Sequence, residues 1–162
     1  MQTAEQTLLH WLKQNALTVR YRQDASDFTI SEFGTGKQLA IDTKKIRDFR
    51  LMPHPQGFKD YLNLVFDDGK QIVLCHAGIA FSPSFISTGP LDDAPPVSCM
   101  TDYLTLRSNL NELIKDPSQR LHAIALFQVL ISILDGAREI GLDVSAEEDE
   151  LDKKLTEFES HS

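Results

Sequence analysis

A chain of 162 residues with 41% hydrophobic and 25% charged side chains has the length and composition of one soluble domain with a sizeable core. Its net charge of −8 argues against nucleic acid or an anionic membrane surface as the main partner. Two cysteines, Cys75 and Cys99, give no disulfide framework, and the N-terminal residues lack a basic start followed by an apolar run, so a cytoplasmic protein is expected.

The chain opens with Thr3 and Gln6, which have the spacing of a capping box, followed by a helix of about three turns. Leu8, Trp11 and Leu12, with Leu9, form its apolar face, and Trp11, the only tryptophan, is expected to anchor the helix to a sheet. The period then changes to two. Leu17, Val19 and Tyr21 alternate with Thr18, Arg20 and Arg22, and Phe28 and Ile30 alternate with Thr29 and Ser31. Gly34-Thr35-Gly36 turns the chain into Leu39 and Ile41. A fourth strand is predicted over Ile46 to Met52, ended by Pro53 and Pro55.

Tyr61 to Phe66 and Gln71 to His76 form the clearest hairpin, around Asp67-Asp68-Gly69. A three-residue loop with Gly69 in the left-handed region sets Leu64 opposite Ile72 and Leu62 opposite Leu74. This is preferred over a two-residue loop because it joins the strongest apolar sets on one face. A short strand follows at Ile79 to Phe81. Ser82 to Ser98 holds four of the seven prolines and reads as a long loop or crossover.

The C-terminal half reads as helical. Tyr103, Leu106, Leu110, Leu113 and Ile114 mark a helix at about Thr101 to Lys115. Asp116, Pro117 and Gln119 signal the start of a longer one, and Gly141 its end. Between Ala125 and Ile140 the apolar residues fill an arc of roughly 200°, too wide for a surface helix, so burial on more than half of the circumference is expected. Its most apolar run, Ala123 to Leu134, reads as too short to span a bilayer. The short Asp116-Pro117 connection makes these two helices antiparallel neighbours. Ser145 and Glu148 suggest a capping box for a last helix with a narrow stripe of Leu151, Leu155 and Phe158. From Glu147 to Glu159, seven acids and two lysines carry −5, which leaves −3 for everything else.

The organisation expected is therefore a single domain over 1–143 with an acidic C-terminal helix or tail over 144–162. Its class is α+β: an N-terminal helix, a mostly antiparallel sheet of five to seven strands, and two or three C-terminal helices packed on it. The same order of strands and closing helix resembles a pleckstrin-homology-like barrel with its capping helix, the alternative architecture.

Chemistry was sought at each motif. Gly34-Thr35-Gly36-Lys37 lacks the Gly at Ser31 and the Ser or Thr at Gln38 that a phosphate loop requires, and a strand follows it. Cys75 and His76 point to opposite faces of a strand, which argues against one shared site. His54, Cys75, His76 and His122 are the pocket candidates, but no metal-ligand spacing links them, and no metal or cofactor is expected. Lys37, Lys44, Lys45, Arg47, Arg50 and Lys59 make a mild basic face, diluted by Asp42 and Asp48. These features favour a non-catalytic interaction or adaptor module that self-associates as a homo-oligomer. Leu151, Leu155 and Phe158 are the candidate contact residues, and neither nucleic acid nor membrane is expected as a partner. The competing reading is a small enzyme or ligand binder with a pocket between sheet and helices.

Overall fold

A computed structural model of the chain describes residues 3–53, 60–75, 78–81 and 98–160. Helix α1 (Ala4–Gln14) starts with both bonds of the capping box in place: Gln6 N–H donates to Thr3 Oγ1, and Thr3 N–H donates to Gln6 Oε1. Leu8, Trp11 and Leu12 are buried, and Trp11 Nε1–H donates to the Asp60 carbonyl at 2.8 Å, so the apolar ring and its polar edge are both accommodated.

Strands β1 (Val19–Asp24), β2 (Asp27–Glu32) and β3 (Gln38–Asp42) form a three-stranded antiparallel meander. Leu17 is not part of it. The chain is still reversing there, with Thr18 N–H and Val19 N–H both donating to the Asn15 carbonyl, and Leu17 is 92% exposed. The Gly34-Thr35-Gly36 segment is a turn between β2 and β3, as its sequence implied.

The second sheet has five antiparallel strands in sequence order: β4 (Ile46–Met52), β5 (Tyr61–Phe66), β6 (Gln71–Cys75), β7 (Gly78–Phe81) and β8 (Ser98–Cys99). The central hairpin has the expected register, Leu62 opposite Leu74 and Leu64 opposite Ile72. Gly69 has φ +87°, the conformation its loop length demands. Strand β8 has no counterpart in the sequence reading, because two residues are too short to show a period. No ladder among the described residues joins the two sheets, which pack across a shared core.

Three helices complete the α+β architecture: α2 (Met100–Leu113), α3 (Arg120–Glu139) and α4 (Ser145–Ser160). The predicted capping box before α3 does not form. Asp116 Oδ1 instead accepts from Ser118 N–H and Oγ–H, and residues 117–119 make a single 3-10 turn. Asp143 does the same for Ser145 at the start of α4. Both aspartates sit below the usual carboxylate range because the Ser hydroxyl and N–H hydrogen-bond to the charged form. Gly141, with φ +104°, ends α3 as its sequence position suggested.

On α3, Ala123, Phe127, Leu130, Ile133, Leu134 and Ala137 are buried in the main core, and Leu126 and Val129 are partly so. Ser132 and Gly136 are buried as well, which widens the buried arc to roughly 220° at 100° per residue. Two details differ from expectation: Ala125 faces solvent, and Ser132 does not. The 23 residues from Pro117 to Glu139 are also long and apolar enough to cross a membrane, contrary to the shorter run read from sequence. Packing accounts for that apolarity where the helix meets α2, α4 and the sheets.

Candidate interaction surface

The pocket candidates do not assemble. His54 and His76 lie outside the described residues. Cys75 is buried on the face of the five-stranded sheet away from the main core, in a small cluster with Val73, Ala80 and Cys99, flanked by Tyr61. Cys75 pairs with Gly78, whereas Cys99 pairs with Ala80 from the far side of β7, so the two thiols are separated by a whole strand and are too far apart for a disulfide. Burial pushes the Cys99 thiol up, and neighbouring Asp102 Oδ2 accepts from Cys99 N–H. His122 stands on the exposed side of α3 with its Nδ1 beside Gln119 Oε1. Among the described residues, no group of three or more His, Cys, Asp and Glu side chains is arranged to hold a metal ion.

Two open clefts are lined, among the described residues, by neither Cys75 nor His122. One, of about 410 Å³, lies between α1 and β4, beside Thr7, His10, Trp11, Gln14 and Leu51. The other, of about 480 Å³, lies at the seam of the two sheets, with Phe28, Ile41 and Phe66 below and Asp27, Asp42, Asp67 and Asp68 around it. Its acids are partly engaged in local turns: Asp42 Oδ1 accepts from Lys44 N–H, and Asp68 Oδ1 accepts from Lys70 N–H.

Leu151, Leu155 and Phe158 turn inward. Leu151 is 3% exposed, and Leu155 and Phe158 pack partly buried against the same core. The Phe158 ring lies 5.3 Å from that of Phe127, and the Arg120 guanidinium sits 4.3 Å above it. Ion pairs surround this contact. Glu147 pairs with Lys37 at 2.7 Å, Glu148 with Arg138, and Glu150 with Arg107 at 3.4 Å. The acidic tail is thus a docked helix, and it touches Lys37 of the mild basic set. The narrow apolar stripe read from sequence serves intramolecular docking of α4.

The apolar surface left over lies on α3 itself. Leu121 is 81% exposed, Ile131 39% and Ile124 37%. With Gln128 they are spaced i, i+3, i+7, i+10 and fall within roughly 80° of the helix circumference. Other exposed apolar residues among those described are scattered: Leu17 in its turn, Leu51 beside the α1 cleft, Ile114 at the end of α2, and Phe33, covered by the Arg20 guanidinium at 4.8 Å. Single exposures of that kind are ordinary. A line of three on one helix face is the feature to explain; sequence reasoning did not single out Leu121, Ile124 and Ile131, and their position opposite the main apolar arc was the available signal.

Sequence reasoning missed Glu32 entirely. It continues the period of Phe28 and Ile30 and is 3% exposed at the end of β2. Its Oε1 accepts from Thr35 Oγ1–H at 2.6 Å and its Oε2 from Ile79 N–H at 2.6 Å. That alternation was the available signal.

The sequence matches no protein-family model, and neither a curated protein nor a solved structure is significantly similar to the chain.

Proposed function

We propose that this chain is a non-catalytic interaction module that self-associates through the outer stripe of α3. The observation that carries the reading is the alignment of Leu121, Ile124 and Ile131 on one exposed helix face. A second copy is the occupant that fits. A helix stripe can meet itself about a two-fold axis, with the chains antiparallel. At its far end Asp135 is already paired with Arg138 at 2.9 Å, so Glu139 is the acid that antiparallel pairing sets toward the Arg120 end of the other copy.

Three side chains, two of them less than two-fifths exposed, fall well short of the ~800 Å² per partner of a standard stable interface. The association expected is therefore weak and concentration-dependent. Methyl NMR spectra recorded over a dilution series test the assignment. The Ile124 and Ile131 signals are expected to shift with concentration while those of Leu17 and Leu51 stay fixed. Unchanged spectra, or shifts centred on Leu17 or Leu51, would refute it.

A further inference from the structure

A buried polar contact joins the two sheets. Glu32 at the end of β2 reaches β7, where its Oε2 accepts from Ile79 N–H, while Thr35 Oγ1–H donates to Oε1. The fit is close. Gly78 has φ +124°, and a Cβ at that position would overlap the Glu32 carboxylate. A carboxylate this deeply buried needs a counter-charge or a proton.

Among the described residues the counter-charge is incomplete. Lys37, on the same hairpin, is the charged group that acts on Glu32, and its ammonium is drawn away toward Glu147 and the Asp143 carbonyl. Val19 faces Glu32 from β1 and carries no charge, and the neighbouring Arg20 lies over Phe33. Strand β7 offers no titratable side chain, and His76 lies outside the described residues.

We propose that Glu32 is a proton-operated clasp between the two sheets, closed by proton uptake on acidification and loosened as the carboxylate ionises. The proton adds to Oε1. That oxygen then donates to Thr35 Oγ1, whose own hydrogen rotates away, and Oε2 keeps its bond from Ile79 N–H. Both hydrogen bonds survive and only the buried charge is lost. Burial holds the Glu32 carboxyl above its ordinary value of 4.5, and Thr35, Ile79 and Lys37 draw it only part of the way back. A folded value above the unfolded one means that stability is fully present below the unfolded value and is lost as pH rises through the folded value. The window therefore opens near 4.5 and extends upward.

The test is the urea-unfolding equilibrium of the wild type and Glu32→Gln from pH 7.5 to pH 5, with hydrogen exchange at the Ile79 amide. The folding constant of the wild type, relative to that of Glu32→Gln, is expected to rise on acidification, by up to tenfold for each unit separating the folded and unfolded titrations. Ile79 protection, corrected for intrinsic exchange, rises in the wild type and stays level in the variant. Parallel pH profiles for the two proteins would overturn the proposal. If Glu32→Gln does not fold, carbon NMR titration of Glu32 in the wild type decides: a midpoint above 4.5 that moves further upward in Thr35→Val supports the clasp, and a midpoint at or below 4.5 refutes it.

Discussion

Replacing Gly78 by alanine separates two effects that glycine substitutions usually mix. Both Gly78 and Gly69 have positive φ, +124° and +87°, so alanine strains the backbone at either. At Gly69 nothing lies within 4 Å of the new methyl group, and the cost is the conformational one, about 1–2 kcal/mol. At Gly78 the methyl group meets the Glu32 carboxylate. Backbone strain of about 1–3 kcal/mol is then joined by loss of the bond from Ile79 N–H to a charged acceptor, about 1.5–3 kcal/mol. Gly78→Ala should thus cost roughly 2.5–6 kcal/mol and Gly69→Ala no more than about 2 kcal/mol. Urea unfolding at neutral pH, with the slope checked for constancy, measures both. Equal costs, or a Gly78→Ala cost below about 1 kcal/mol, would show that Glu32 gives way freely and is not held as described.

Other substitutions probe the core and the caps. Leu130→Ala removes a side chain with 0% exposure from the centre of α3 and should cost about 2–5 kcal/mol in denaturant unfolding. Tyr103 is fully buried with its hydroxyl unpartnered, and burial followed by the charge of Glu150 pushes its phenol up to about 12. Tyr103→Phe is therefore expected to leave stability unchanged or raise it by about 1 kcal/mol, and a loss would reveal a bond to that hydroxyl. Thr3→Ala removes the cap of α1 and should cost about 1 kcal/mol by thermal or urea unfolding. Cys75 and Cys99 are both buried, so a thiol reagent should label the native protein slowly and the unfolded protein at both sites, as read by intact mass.

The parts of the fold legible in sequence were those with a strong local code. The Asp67-Asp68-Gly69 loop set the hairpin register because only one loop length joined Leu62 and Leu64 to Leu74 and Ile72. Thr3 and Gln6 placed the start of α1 within a residue. Other features depend on tertiary neighbours. Leu17 continues the period of β1 but lies in the turn fixed by Asn15, and only packing distinguishes those states. Leu151, Leu155 and Phe158 look like a narrow, unpartnered stripe until Phe127 and Arg120 are placed against them. Glu32 shares a face with Phe28 and Ile30, yet a charged side chain at the end of a strand reads as its exposed boundary. Its burial follows from Gly78 and Ile79, distant in sequence.

Self-association through α3 is tested most directly by the molar mass of the protein from light scattering across the micromolar range. The mass is expected to rise from the 18.2 kDa of one chain toward twice that value as concentration increases. Leu121→Asp, which alters a side chain already 81% exposed, should hold the mass at that of one chain without moving the unfolding midpoint. A wild-type mass that stays at 18.2 kDa at every concentration would contradict the assignment.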